Sequence, residues 1–78
     1  MMFTVYSKPG CSYCKKVTRL LELAETRYVV YSMGRDFSPS EFYEKFGKGS
    51  SFPQVIFNET KIGGCSATLN YLKENEYL

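Results

Sequence analysis

The sequence predicts an α/β fold: one mixed sheet of about four strands with helices on both faces, in the order β-α-β-α-β-β-α. Three observations predict it. Runs of strand-forming residues recur at positions 3–6, 28–31 and 54–57. Stretches with helical apolar spacing separate the first three strands and follow the last. The third and fourth strands are divided only by a polar turn, so a βαβ half is followed by a ββα half. A chain of 78 residues has room for a single domain, 1–78, and no second one.

Phe3-Thr4-Val5-Tyr6 alternates and ends in the turn signal Ser7-Lys8-Pro9-Gly10, which makes it a short first strand. Helical spacing follows. Cys14, Val17, Leu21 and Ala24, with Leu20 beside them, form one apolar stripe, while Lys15, Lys16, Arg19 and Glu22 take the wet side. The first helix is expected over about 12–24. Tyr28-Val29-Val30-Tyr31 is continuously apolar, the pattern of a strand buried on both faces and paired in the sheet interior. Ser38-Pro39-Ser40-Glu41 combines a capping box with proline at the first helical position, so a second helix starts there. Phe42 and Phe46 face its core, and Gly47 or Gly49 stops it. Gln54-Val55-Ile56-Phe57, the turn Asn58-Glu59-Thr60 and Lys61-Ile62 read as an antiparallel hairpin that Gly63-Gly64 breaks. Ser66 then caps a last helix with Cys65, Leu69 and Leu72 as core positions.

Composition narrows the function classes. Apolar residues at 44% and aromatics at 17% suffice to fold without a disulfide framework. Ten Lys and Arg against eight Asp and Glu leave a net charge of +2, too small and too scattered for a nucleic-acid footprint. The first residues lack a basic region followed by an apolar one, and no apolar run approaches the roughly 18 residues of a membrane span. A soluble, cytoplasmic protein is the expectation. Three cysteines, an odd number, fit a secreted disulfide scaffold poorly.

The chemistry concentrates at Cys11-Ser12-Tyr13-Cys14, where a turn hands over to a helix. Cys11 falls at the helix start, where unpaired N–H groups and the positive dipole end favour a thiolate; Cys14 falls one turn in, on the buried stripe. Lowering a thiol pKa by two units from about 8.5 takes about 2.7 kcal/mol. The dipole supplies typically 0.3–1 kcal/mol, so hydrogen bonds to the charged sulfur, at roughly 1.5–3 kcal/mol, carry the larger share. Lys8 adds a nearby positive charge. The chain has no histidine, which excludes a Cys-His pair. Zinc wants four ligands, and only Cys65 remains to join the two cysteines. No metal site is expected.

Lys8-Pro9-Gly10-Cys11-Ser12-Tyr13-Cys14, Ser51-Phe52-Pro53 and Gly63-Gly64-Cys65-Ser66 together resemble the glutaredoxin family of the thioredoxin fold, over nearly the whole chain. The first resembles the family's Cys-Pro-Tyr-Cys site, unlike the Cys-Gly-Pro-Cys of thioredoxins. The second resembles Thr-Val-Pro, whose proline is cis in the family. The third resembles the turn that receives the γ-glutamyl end of glutathione. The resemblance implies a thioredoxin-like mixed four-stranded sheet flanked by three helices, and a glutathione-dependent disulfide oxidoreductase.

Cys11 is then the nucleophile and Cys14 the resolving thiol. Phe52, next to Pro53, offers its backbone to the cysteine of glutathione as a one-residue strand addition. Gly63-Gly64 followed by a helix start presents the N–H groups of Cys65 and Ser66 to a carboxylate, with Gly64 in the binding turn, or simply ends the hairpin in a tight turn. Lys8 holds the glycine carboxylate or is a solvated loop lysine, and Tyr13 flanks the groove or is surface aromatic cover. Cys65 aligns with Leu69 and Leu72, so its thiol is read as packing.

Three departures from the family pattern bear on glutathione binding. Ser12 replaces the usual proline, Ala67 stands where aspartate is common, and no arginine precedes Ser51, leaving Lys48 or nothing as the second basic contact. The implied partners are glutathione and disulfide-containing or glutathionylated proteins, with ribonucleotide reductase a family candidate, acting on a monomer without nucleic acid or membrane. The alternative reading is an iron-sulfur cluster bridged between two chains by Cys11 and glutathione thiols, which Ser12 admits.

Overall fold

The computed structural model describes residues 2–78. Seven elements follow in the expected order: β1 (Phe3–Ser7), α1 (Ser12–Leu23), β2 (Tyr28–Ser32), α2 (Pro39–Phe46), β3 (Gln54–Phe57), β4 (Thr60–Gly63) and α3 (Cys65–Glu74). The strands form one sheet in the order β2-β1-β3-β4. β1 pairs parallel with β2 and antiparallel with β3, and β3 with β4 closes the hairpin. The sheet is mixed, as predicted.

The pleat of β1 separates two cores. Phe3 and Val5 point to one face and are buried with Val17, Leu21, Val55 and Leu72, which joins α1 and α3 to the sheet. Tyr6 points to the other face. Its ring meets Phe37 at 5.2 Å and Phe46 at 5.0 Å between ring centroids, and Phe42 stacks on Phe52 at 4.0 Å. This aromatic cluster, on the opposite face from the core under α1 and α3, is what holds α2.

Local chemistry sets the element ends. Ser38 Oγ accepts from the Glu41 N–H and Glu41 Oε1 accepts from the Ser38 N–H, so the predicted capping box is formed, with Pro39 in the first turn. At the other end Gly47 adopts φ 103°, and Lys61 Nζ donates to the Lys45 carbonyl at 2.7 Å, tying the helix to the hairpin. The turn of the hairpin is Asn58-Glu59, with Asn58 left-handed at φ 57°; Thr60, expected in the turn, already pairs with Phe57.

Two expectations are corrected. The 28–31 segment is an edge strand, paired only with β1, and Tyr31 is exposed. Its apolar run arises because both faces make contacts: Tyr28 and Val30 pack against the aliphatic core, and Tyr31 lies edge-on to Tyr6. Periodicity registers faces and is blind to a missing lateral neighbour. Ser66 does not cap α3. The N-cap is Gly64, extended and without a side-chain hydrogen bond, and Ser66 lies within the first turn. The fully buried positions of α3 are Thr68 and Leu72, while Cys65 and Leu69 are half-buried. Thr68 can be buried because its Oγ1 donates to the Gly64 carbonyl at 2.8 Å, which satisfies the hydroxyl.

Candidate active site

β1 ends at Ser7, and Gly10 turns the chain at φ 72° so that Cys11 becomes the N-cap of α1. Cys11 Sγ accepts the Cys14 N–H at 3.2 Å, the bond that an N-cap oxygen usually accepts. The Cys11 carbonyl accepts from Lys15 N–H at 3.3 Å, so the helix ladder begins at this residue. Cys11 is half-exposed and Cys14 only 4% exposed. The two are joined as a disulfide, with Cα atoms 5.3 Å apart. An accessible sulfur is thus linked to a sheltered one across one helical turn.

A groove of about 540 Å³ is lined by Tyr13, which stands between the two cysteines in sequence, with Ser51, Phe52, Pro53 and residues 64–67. Six of the residues singled out in the sequence meet there: Tyr13, Phe52, Pro53, Gly64, Cys65 and Ser66. The Phe52–Pro53 peptide is cis. The first turn of α3 forms one wall, and the absence of a side-chain cap leaves its N–H groups free for an acceptor in the groove. Gly63 is required for this turn. Its φ is 121°, and a Cβ there would stand 3.1 Å from the Ala67 Cβ.

Lys8 does not line the groove. It lines a cleft of about 420 Å³ that also includes Cys11, Cys14, Lys15, Thr18 and Arg19, and its Nζ sits 5.2 Å from the ring centroid of Phe52, a residue of the groove wall. Lys48 is exposed and is not part of the groove wall. Ala67 lines the groove and offers it no charge. The resemblance pointed to Phe52 but not to what supports it: Phe42, fully buried in α2, stacks against its ring. Only the helical spacing of Phe42 and Phe46 hinted at that role.

Near α2 the fold shifts several ionisations. Burial, and then Tyr31, raises the Tyr6 phenol. Hydrogen bonds from Arg35 and from the Ser32 N–H hold Asp36 below the usual carboxylate range. Among the described residues no three His, Cys, Asp or Glu side chains gather as a metal site. With Cys14 sheltered, one chain would give a cluster a single accessible ligand at this site, Cys11, so the iron-sulfur alternative needs a second chain and outside thiols.

A cysteine pair at a helix start, beside a cis-proline turn on a mixed sheet, is the architecture of thiol-disulfide oxidoreductases with the thioredoxin-like fold. Residues 3–62 match the glutaredoxin family model. A glutaredoxin of Vibrio cholerae is 32% identical over 87 residues, covering 96% of this chain and 94% of that protein. Among solved structures, reduced Escherichia coli glutaredoxin shares the fold at TM-score 0.81, with 21% identity and all of both chains covered. A buckwheat glutaredoxin-glutathione complex does so at 0.78, with 23% identity over 96% of this chain and 71% of that one. The chain belongs to the glutaredoxin family.

Proposed function

We propose that the protein reduces glutathione mixed disulfides and protein disulfides with glutathione as electron donor. The observation that carries the reading is the Cys14 N–H directed at the sulfur of half-exposed Cys11, with the intervening Tyr13 on the wall of a groove. In the reduced protein that amide and the helix start favour a thiolate on Cys11. The groove supplies what a tripeptide with two carboxylates needs. It has free N–H groups at the start of α3 for one carboxylate, the backbone of Phe52 beside a proline that cannot pair, and Tyr13 as a flank. Lys8, poised over Phe52, is placed to reach the other carboxylate from the rim. The glutathione-bound buckwheat relative supports the same ligand class.

The Cys11 thiolate attacks the glutathione sulfur of a mixed disulfide. A Cys11-glutathione bond forms, the substrate-sulfur bond breaks, and the substrate leaves as a thiolate that takes a proton from water. A second glutathione thiolate then attacks the bound glutathione sulfur, giving oxidised glutathione and restoring the Cys11 thiolate. The net change is one mixed disulfide and one free glutathione giving the free substrate thiol and oxidised glutathione. For a protein disulfide, Cys11 forms the mixed disulfide and Cys14 displaces the substrate, leaving the internal disulfide for two glutathiones to reduce. A glutathione-rich, reducing cytoplasm suits this cycle.

A glutathione-coupled assay on wild type and Cys11→Ser tests the reading. Turnover of a small mixed disulfide by wild type and none by Cys11→Ser is expected. Equal activity of the two, or no glutathione-dependent turnover at all, overturns it.

A further inference from the structure

A second groove, of about 490 Å³, lies between α1 and α3, lined by Lys15, Lys16, Arg19, Leu20, Cys65 and Leu69. Its apolar part is left half-covered: Leu20 and Cys65 pack on the core with one side and face the groove with the other, and half-buried Leu69 lines it beside them. Its rim is cationic. Lys15, Lys16 and Arg19 are exposed, and among the described residues none of them forms an ion pair, the one ion pair being Arg35 with Asp36. Glu22, one turn beyond on the wet face, lines the cleft across α1 with Arg19 and pairs with neither lysine.

The groove is continuous with the chemistry. Cys65 belongs to its wall and to that of the glutathione groove, and Lys16 Nζ lies 4.9 Å from the ring centroid of Tyr13. Lys15 and Arg19 border both this groove and the cleft holding Cys11. Glutathione has no apolar side chain to seat on Leu20 and Leu69. An occupant that matches the surface needs carboxylates for the rim and an apolar side chain for the floor.

We propose that the α1–α3 groove docks the protein substrate, taking an acidic segment with an apolar anchor that flanks the cysteine delivered to Cys11. The inference rests on the proposed reaction at Cys11 and adds to it a substrate class. Three unpaired cations within one helical turn repel one another in the free protein, and an acidic segment relieves that repulsion while the anchor covers the leucines. The same cations steer acidic partners to the face that carries the nucleophile.

The test uses three synthetic peptides, each with one glutathionylated cysteine at the same distance from a Glu-Leu-Glu, Gln-Leu-Gln or Glu-Ser-Glu segment. KM for deglutathionylation is measured for wild type, Lys15→Glu/Arg19→Glu and Leu69→Gln, at low and high salt. For wild type the acidic leucine peptide should show a KM about tenfold below the neutral one, the gap closing as salt rises. Charge reversal should cancel or invert that ratio, and Leu69→Gln should narrow the difference between the leucine and serine peptides. Equal KM for acidic and neutral peptides in wild type, a preference that survives charge reversal, or indifference to the anchor overturns docking alone. No turnover of any peptide by wild type overturns the reaction at Cys11, and the docking role with it.

Discussion

One helical turn separates Cys11 from Cys14, and the two thiols differ in what surrounds them rather than in what they are. Cys11 sits at the N-cap, half-exposed; Cys14 is sheltered among the residues of α1 that meet the sheet. That division predicts the behaviour of Cys14→Ser: reduction of a small glutathione mixed disulfide persists, and reduction of a protein disulfide by way of the internal disulfide is lost. Parallel assays on both substrates check it, and loss of both activities would contradict the division. Thr68 is a second residue whose position reflects a satisfied polar atom. Thr68→Val keeps the shape and removes the Oγ1 bond to the Gly64 carbonyl, which still accepts the Thr68 N–H at 3.0 Å. A loss of about 0.5–1.5 kcal/mol in urea unfolding is expected. Asp36 contributes a pH dependence. Its folded pKa lies below the unfolded value near 3.8, so its contribution is present above that value and fades as pH falls through the folded pKa. Asp36→Asn should lower stability at neutral pH and flatten the acid limb, so that the two proteins converge as pH falls through the folded pKa; an acid limb identical to wild type would contradict this.

At the scale of elements, α2 is held by two devices: its capping box and the aromatic cluster under Phe52. Ser38→Ala removes the side-chain half of the box and should lower stability by about 0.5–2 kcal/mol, measured by chemical denaturation. The starts of α1 and α2 were legible because Cys11, Ser38, Pro39 and Glu41 act within four residues of themselves. The start of α3 was not. Ser66 is a good capping residue by type, yet Gly63 and Gly64 take the backbone conformations that close the turn, so the helix begins one residue before the serine. The edge position of β2 was illegible for a different reason: which strand lies beside another is decided by hydrogen bonds between segments far apart in sequence, and the side chains of Tyr28, Val30 and Tyr31 report only the faces they cover. Thr68 was missed because its residue type says polar, whereas its own helix supplies the acceptor.

Across the whole molecule, the sheet collects three loops at one end. The β1–α1 turn brings Cys11, the α2–β3 segment brings Phe52 and Pro53, and the β4–α3 turn brings Gly64 to Ser66. The sequence displayed each of these as a motif, and family resemblance connected them, because no local pattern reports that positions 13, 52 and 65 share a groove. The place of Lys8 was not legible either: it lines the cleft that holds Cys11 and Cys14, whereas the groove takes Tyr13 from the same turn of sequence. The convergence matters because a helix start held rigidly against the sheet keeps a backbone amide on Cys11 Sγ. The most direct test is a pH titration of the Cys11 thiol in reduced Cys14→Ser, followed by its ultraviolet thiolate absorbance. A midpoint at least one unit below the 8.5 or so of a free cysteine is predicted. A midpoint at the free-cysteine value would contradict the account.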